Sequence, residues 1–374
     1  HFAVDILTQH HLGKLVKKST PDITCFGAYV LNLKKHEIYT VLAKITVMAT
    51  GGVGNIYHTT TNPAVATGDG IAMVHRAKGA VENMQFLQFH PTSLYNPGER
   101  PSFLISEAMR GFGALLRLQN GKEFMHKYHP MGSLAPRDVV ARSIDHEMKI
   151  SGDEFVYLDI THKDPKEVIN HFPNIYQKCL SVGIDLTKDM IPVVPAAHYC
   201  CGGVKVNLNG ESSIRHLYAL GETSSTGLHG GNRLASNSLM EAAVYADVAA
   251  QHAISLLNTI ELQRNIPAWD YEGTAIPEEM ALITQNYKEM QQIMSNYVGI
   301  VRSNLRLERA KRRLEIIFKE TEELYLKSTL SQHLCELRNM IAVGYLIIKQ
   351  AEAMHESVGL HYSIDYPAKP VNME

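Results

Sequence analysis

The chain has 374 residues, of which 45% are apolar and 20% are charged, and its formal net charge is -2. A chain of this length and composition is typical of a protein with about two or three globular domains. The near-neutral charge argues against a nucleic-acid-binding protein. No apolar run reaches the roughly 20 residues of a membrane span, and no signal peptide is recognisable. The five Cys form no CxxC pair, which favours a reduced, cytoplasmic setting.

The first part of the chain has a mixed helix and strand pattern. Residues 1–20 are predicted to form a short helix, and residues 23–31 and 37–49 are predicted to form strands around a polar turn. The second strand is strongly apolar and leads into a glycine turn. A further helix is predicted to begin close to Thr67 or Asp69, either of which is a suitable N-cap. This order of elements is typical of an α/β domain.

Changes in composition divide the chain into four segments. Residues 1–83 and 198–264 share an apolar, glycine-rich pattern and are predicted to be two parts of one α/β domain. Residues 84–197 are rich in His and Pro and contain short helices, such as 137–149, so they are predicted to form an inserted second domain. Residues 265–374 are predicted to form a C-terminal helical domain, which begins with a linker near Pro267 and is helical from Pro277 almost to Leu360.

The entrance to an apolar helix near residue 240 carries several unusual residues. The segment from Ser238 to Glu241 fits the S-x-x-E capping box, and the residues that follow it are apolar enough for a buried helix. A helix N-terminus offers free N–H groups and a partial positive charge, which favour an anion. An ordinary capped core helix is the alternative, but it requires neither His229 nor Arg233. Glu222 follows a predicted strand and is a candidate ligand for a ribose or ribityl hydroxyl.

Other candidate residues lie in the middle of the chain. Arg137 stands at a predicted helix start, where the helix dipole disfavours a cation, so a functional use gains weight against a structural one. Glu107 and Arg110 are spaced to share one helical face, where an exposed ion pair is the alternative. His90 and His198 lie beside apolar runs, and each by itself is also typical of a core histidine. The spacing of the His residues matches no metal site, so no metal is expected.

A family resemblance joins these segments. The motifs that carry it occur in order along the chain: Ala49-Thr50-Gly51-Gly52, Thr61-Asn62-Pro63, Gly68-Asp69-Gly70, Gln88-Phe89-His90-Pro91-Thr92, Ala135-Pro136-Arg137-Asp138, Pro195-Ala196-Ala197-His198-Tyr199, Gly221-Glu222, and His229 through Glu241. Together they resemble the succinate dehydrogenase/fumarate reductase flavoprotein superfamily. Within it, the helical C-terminal part is most similar to the L-aspartate oxidase family.

The resemblance implies a fold. It predicts an α/β FAD-binding domain interrupted by an α+β capping domain and followed by a C-terminal helical domain. The family's GxGxxG loop, which holds the FAD pyrophosphate, and most of the first βαβ unit are not in this sequence, which begins at His1 without an initiating Met. We therefore expect an N-terminally truncated chain with an incomplete FAD-binding domain, which binds little or no FAD by itself. A processed N-terminus is the alternative.

The resemblance also implies roles for individual residues. The implied contacts to non-covalent FAD are Asp69, Glu222, Ser238 and Leu239, the last two mainly through backbone groups. The implied substrate ligands are His90, Ser106, His198 and Arg233. The implied catalytic group is Arg137 as proton donor or acceptor, with Glu107 and Arg110 in a relay.

The activity implied is the oxidation of L-aspartate to iminoaspartate by hydride transfer to FAD, with reoxidation by O2 or fumarate. This would be the first step of NAD biosynthesis by way of quinolinate and would link the protein functionally to quinolinate synthase. No nucleic acid and no membrane partner is expected. One alternative is the flavoprotein subunit of fumarate reductase or succinate dehydrogenase. The other is an FAD-free fragment without activity.

Overall fold

The computed structural model describes residues 1–276 and 280–367. The strands in this part of the chain are β1 Phe2–Ile6, β2 Gly27–Asn32, β3 Glu37–Leu42, β4 Thr46–Met48, β5 Val81–Glu82, β6 Leu87–Leu94, β7 Leu115–Arg117, β8 Val156–Asp159, β9 Ile191–Cys200, β10 Gly203–Lys205, β11 Leu217–Ala219, β12 Ser224–Ser225, β13 Val301–Arg302 and β14 Tyr362–Ser363. The helices are α1 Asp69–Arg76, α2 Glu107–Gly111, α3 Arg137–Ser151, α4 Pro165–His171, α5 Pro173–Ser181, α6 Asn237–Leu256, α7 Met280–Tyr297, α8 Asn304–Lys327 and α9 Gln332–Glu352.

The chain folds into two compact units whose segments alternate along the sequence. The first unit consists of His1–His58, Val65–Leu87 and Tyr199–Glu374. The second unit consists of Thr59–Ala64 and Gln88–His198. Each unit contains both strands and helices, and each holds part of the predicted site.

An antiparallel sheet in the order β1-β2-β3 opens the first unit. The helix predicted for residues 1–20 is wrong: β1 occupies Phe2–Ile6, and only a single 3-10 turn, Gln9–Leu12, follows it. The physical reason is the period of the apolar residues, since Phe2, Val4 and Ile6 alternate with more exposed positions as in a strand that packs one face on a core. The strands predicted at 23–31 and 37–49 are confirmed as β2, β3 and β4, with shorter bounds.

Two parallel strand pairs follow in the same unit. β4 pairs with β11 and β10 pairs with β12. Because parallel neighbours end at the same edge of a sheet, the turn after β4 meets the turn after β11. The hydroxyls of Thr50 and Thr223, one in each turn, lie 2.9 Å apart. This edge positions Glu222, as described below.

The N-termini of α1 and α6 differ from the prediction. The N-cap of α1 is Gly68, with φ 76°, and neither Thr67 nor Asp69 caps it. The N-cap of α6 is Ser236, with φ 70° and no side-chain hydrogen bond. The predicted capping box that starts at Ser238 is therefore wrong, because Ser238 lies within the helix and the Glu241 carboxylate binds other side chains. Glu241 binds Thr226 and His229, which are distant along the chain, instead of a backbone N–H at the start of the helix.

The surface of α6 also corrects the sequence analysis, which predicted a buried helix. Only Glu241 and Ala249 are buried in it, whereas Leu239 and Met240 are 75% and 68% exposed. The helix is apolar on several sides, a pattern of helices enclosed by other protein. The described residues cover little of this surface.

Three long helices form the C-terminal part of the first unit. α8 packs on both α7 and α9, and α9 is buried along most of its length because its sequence is largely apolar. The helical prediction from Pro277 almost to Leu360 is confirmed by α7, α8 and α9, which extend from Met280 to Glu352 with the short strand β13 between α7 and α8. Residues 277–279 and 368–374 of the C-terminal segment lie outside the described residues. Among residues 1–276 and 280–367, no helix is long and apolar enough to span a bilayer.

The second unit is built on a four-stranded sheet in the order β6-β9-β8-β7. Its core joins the sheet to the helices through buried side chains such as Met109, Ile144, Leu158 and Val193. The predicted helix 137–149 is confirmed as α3, which ends at Gly152 in the left-handed conformation. The sheet and helices together set His90, on β6, and His198, on β9, on neighbouring strands.

We predict that Gly27→Ala strongly destabilises the first unit. Gly27 has φ +126°, and a Cβ there would lie 1.9 Å from the Val41 carbonyl oxygen across the β2–β3 pair. Gly13 is the matched control, since it has φ +78° but no atom within 4 Å of its Cβ position. Gly13→Ala should cost about 1 kcal/mol for the left-handed backbone alone, and Gly27→Ala about 3 kcal/mol or more. Urea denaturation measures both, and equal losses would contradict the close approach.

Candidate active site

Glu222 lies in the turn after β11, against the glycine turn after β4. Its Oε1 accepts a hydrogen bond from the Cys200 N–H at 2.9 Å. A Cβ on Gly52 would lie 2.2 Å from the same Oε1, so only glycine allows this carboxyl to sit against the backbone. Burial raises the pKa of Glu222 to about 7, although the Cys200 N–H and Arg233 act in the opposite direction.

Asp69, at the first turn of α1, is held by side chains from two parts of the first unit. Its Oδ1 accepts hydrogen bonds from the Thr67 hydroxyl at 2.9 Å and from Asn339 Nδ2 at 2.7 Å. The Oδ1 of Asn339 accepts in turn from Arg76 at 2.7 Å. Burial raises the pKa of Asp69, and these donors partly offset it. Asn339, on α9, was not predicted as a site residue, because it lies outside the recognised motifs in a largely apolar helix.

Arg233 lies in the loop before α6 and is buried. Its Nη1 donates to the Ser238 hydroxyl at 3.2 Å, and its guanidinium carbon lies 4.3 Å from the centre of the Tyr199 ring. The Leu239 N–H donates to the Ser236 carbonyl at 3.1 Å, so the first turn of α6 already uses this group. Arg233, Ser238 and Glu222 belong to the same unit, as does Asp69.

His90 and His198 face each other in the second unit. Their ring centres are 5.5 Å apart, at an interplanar angle of 65°. The Thr61 hydroxyl lies 2.8 Å from His198 Nδ1, which fixes the orientation of that ring. His90 Nδ1 lies 3.1 Å from the Thr92 carbonyl oxygen. Burial lowers the pKa of His90 to about 3, assisted by the positive charges of neighbouring residues, so this ring is neutral near pH 7.

A carboxylate joins two arginines in the same unit. Glu107 Oε1 lies 3.3 Å from Arg110 Nη2, and Glu107 Oε2 accepts from Arg137 Nε at 2.5 Å. Arg110 is only 1% exposed and donates through Nη1 to the Ser133 carbonyl at 2.9 Å. The alternative of an ordinary exposed pair is wrong, because one partner is buried and the carboxylate is shared. Ser106 serves as N-cap of α2, accepting from the Ala108 N–H at 3.2 Å.

Each unit thus assembles one set of the predicted residues. The second unit contains His90, Ser106, Glu107, Arg110, Arg137 and His198, and the first contains Asp69, Glu222, Arg233, Ser238 and Leu239. No role was predicted for Tyr199, Thr61 or Asn339, and Glu241 was predicted only as part of a capping box. Tyr199, Thr61 and Glu241 lie within recognised motifs, so close attention to those motifs could have found their contacts.

The residues of the first unit fit a cofactor rich in hydroxyls and negative charge. The Glu222 carboxyl fills the space that a Cβ on Gly52 would take, and a carboxyl held there can accept a hydrogen bond from a cofactor hydroxyl. The N-terminus of α6 has no side-chain cap, so its positive end is available to an electron-rich group.

Comparison with known proteins agrees with this chemistry. The FAD binding domain family matches residues 1–239, and the fumarate reductase flavoprotein C-terminal family matches residues 287–370. The L-aspartate oxidases of Pseudomonas aeruginosa and Ralstonia nicotianae are each 49% identical to the chain over 98% of its length. The alignments cover 66% and 68% of those relatives, so the chain spans about two thirds of their length.

The chain belongs to the L-aspartate oxidase family. Among solved structures, the Escherichia coli quinol fumarate reductase flavoprotein superposes with a TM-score of 0.79 at 27% identity, over 100% of this chain and 67% of that one. The predicted superfamily, flavoenzyme class and cofactor, FAD, are therefore confirmed, as are a FAD-binding domain and a C-terminal domain of the fumarate reductase type.

We predict that Glu222 makes the stability of the FAD-free chain depend on pH. Its pKa is about 7 in the folded chain against a reference of 4.5, so the folded state binds the proton more tightly than the unfolded state. The contribution is present below pH 4.5 and is lost as the pH rises to about 7. Glu222→Gln removes it, and the variant should become up to about 3 kcal/mol more stable than the parent across this window.

The measurement is urea denaturation at a series of pH values, compared as the difference between variant and parent. Glu261→Gln, at an exposed position, is the matched control and should give a flat difference. A flat difference for Glu222→Gln as well would show that the half-buried carboxyl does not carry the raised pKa.

Proposed function

We propose that this chain provides the catalytic residues for FAD-dependent oxidation of L-aspartate to iminoaspartate. The observation that carries the proposal is Glu107, which bridges Arg110 and Arg137 in the same unit as the histidine pair. This arrangement provides both proton-transfer groups and donors for carboxylates. The names of the relatives that share 49% of its residues support the same substrate.

Substrate recognition is assigned to Arg233, His90, His198 and Ser106. L-Aspartate carries two carboxylates, and a guanidinium holds one of them through two parallel hydrogen bonds. His90 is neutral because of its lowered pKa, so it acts as a hydrogen-bonding group and leaves the positive charge to arginine. The hydroxyl of Thr61 orients His198, which reduces the entropy lost when a ligand binds.

Proton movement is assigned to Arg137, with Glu107 and Arg110 behind it. Arginine hardly ever deprotonates in proteins, so Arg137 acts within the hydrogen-bonded relay or stabilises charge at the substrate. Burial lowers the pKa of Arg110, although a guanidinium stays charged near pH 7. The carboxylate of Glu107 contacts both guanidinium groups and is the proton acceptor of the proposed relay.

FAD, when bound, accepts the hydride from the substrate carbon. The residues proposed to hold it are Asp69, Glu222, Ser238 and Leu239. Glu222 would accept from a cofactor hydroxyl, and the positive end of α6 would stabilise charge at the flavin. The proposed domains are a FAD-binding domain at 1–83 and 198–264, an inserted α+β capping domain at 84–197 and a helical domain at 265–374. The alternating segments of the two compact units support that order.

The proposed electron acceptors are O2 or fumarate, and the proposed consumer of iminoaspartate is a quinolinate synthase. The likeness to a fumarate reductase favours a dicarboxylate acceptor such as fumarate. We also propose a cytoplasmic setting for the protein.

Flavin bleaching tests the substrate. The FAD-loaded enzyme is mixed without oxygen with either L-aspartate or succinate, and the visible flavin absorption is followed. L-Aspartate should bleach the flavin within seconds, and succinate should not. Bleaching by succinate alone would favour a succinate dehydrogenase or fumarate reductase subunit. The same spectrum of the purified chain tests whether it retains FAD without any added segment, and no flavin band would support the inactive-fragment alternative.

We predict that Arg233→Leu lowers kcat/KM for L-aspartate at least about 100-fold, because a substrate carboxylate loses its buried cation. FAD content should stay at the parent level, as measured by absorbance. Arg312→Leu is the matched control, since that side chain is 77% exposed on α8, and its activity should be unchanged. Near-normal turnover by Arg233→Leu would refute its role as a carboxylate ligand.

A further inference from the structure

The guanidinium of Arg233 rests on an aromatic face. Its central carbon lies 4.3 Å from the centre of the Tyr199 ring, and both residues are buried. A cation over an aromatic face is attracted by the ring's electron density, and the attraction strengthens away from water. The orientation of the Tyr199 ring therefore decides where the guanidinium plane lies.

The hydroxyl of Tyr199 is anchored at the other end of the ring. It donates to Glu241 Oε2 at 3.4 Å and lies 3.2 Å from His229 Nε2. Burial raises the pKa of Tyr199, and the carboxylates of Glu241 and Glu222 raise it further. The phenol thus keeps its proton and remains a donor. A donor bonded to a carboxylate makes the ring more electron-rich, which strengthens the contact with Arg233.

Both carboxylate oxygens of Glu241 have hydrogen-bond partners. Its Oε2 lies 2.8 Å from His229 Nε2, and its Oε1 accepts from the Thr226 hydroxyl. The side chains of His229 and Glu241 are 4% and 2% exposed. Tyr199 lies on β9, Thr226 and His229 lie in the loop after β12, and Glu241 lies in the second turn of α6. The hydrogen bonds among these four residues therefore hold three segments of the chain in one geometry.

The imidazole of His229 takes part in this network through Nε2. Because a carboxylate only accepts hydrogen bonds, the 2.8 Å distance between Nε2 and Glu241 Oε2 assigns the ring proton to Nε2, and within the described chain the buried Nδ1 has no hydrogen-bond partner. A ring used in this way orients the carboxylate, which then orients Tyr199. Glutamine places an amide N–H close to the Nε2 position, whereas leucine does not, so the two substitutions separate hydrogen bonding from packing.

We propose that Glu241 and His229 are positioning residues for substrate carboxylate binding: they hold Tyr199, and Tyr199 fixes the guanidinium of Arg233. The inference rests on the proposed role of Arg233 as a carboxylate ligand. It extends the site by residues that act through Tyr199 and Arg233, and it explains why a buried His–Glu pair stands beside the loop that carries Arg233.

The first test measures binding and turnover separately in the FAD-loaded enzyme. Glu241→Gln, His229→Leu and Tyr199→Phe should each raise the Kd for succinate, measured by calorimetry, and the KM for L-aspartate about tenfold, equivalent to about 1.4 kcal/mol. kcat should change less than threefold, because orientation of a binding group affects substrate and transition state alike. His229→Gln should restore most of the affinity.

The matched control is Tyr218→Phe. Tyr218 is also a buried tyrosine of the first unit, and its hydroxyl lies 2.6 Å from His252 Nδ1, away from Arg233. This variant should leave Kd and KM at the parent values. Should Tyr199→Phe and Tyr218→Phe behave alike, the proposal is overturned. FAD content and thermal melting identify any variant that fails to fold. If one does, the two conservative single variants, Tyr199→Phe and His229→Gln, decide whether the proposal stands.

A double-mutant cycle with Arg233→Lys tests whether Glu241 acts through Arg233. Lysine keeps the charge but lacks the planar fork and its stacking. In that background Glu241→Gln should change the succinate Kd less than twofold. A tenfold effect in both backgrounds would overturn the proposal. Failure of the parent enzyme to oxidise L-aspartate would instead defeat the proposed function, and the succinate measurements would still decide this inference.

Discussion

Charged side chains that are withdrawn from water have to be hydrogen-bonded or neutralised, and this constraint organises both units. Glu241 is buried with His229 and the hydroxyls of Tyr199 and Thr226 around it. Arg110 is buried with Glu107 beside it. Among residues 1–276 and 280–367, the hydrogen bond to the Glu222 carboxyl comes from the Cys200 N–H, and burial raises the pKa of Glu222 to about 7. Several of the proposed site residues are therefore charged groups that are wholly or partly withdrawn from water.

Strand ends provide the scaffold for these groups. In the first unit the parallel pair of β4 and β11 brings a glycine turn against Glu222, and the close approach is possible only without a side chain at Gly52. In the second unit β6 and β9 set His90 beside His198. Each cluster is built on regular structure, which keeps its geometry within narrow limits.

The helix α6 exposes large apolar side chains on its surface. Leu239, Met240 and Val244 are more than half exposed on a helix that is apolar overall, and an exposed apolar surface of this kind is typical of one that packs against further protein. The chain spans about two thirds of the length of its bacterial relatives. The helix that presents the proposed flavin contacts thus also exposes several large apolar side chains.

We could predict from the sequence the family, the helical C-terminal part, α3 and the shared helical face of Glu107 and Arg110, because short-range periodicity and dense local motifs encode these features. The predictions were wrong for residues 1–20, where an alternating pattern forms a strand, and for the capping box at Ser238, whose glutamate has tertiary partners. The folded chain was needed to find that Asn339 binds Asp69 across 270 positions and that Tyr199 lies between Arg233 and Glu241. Such contacts depend on which distant segments meet, and no local pattern of residues specifies that.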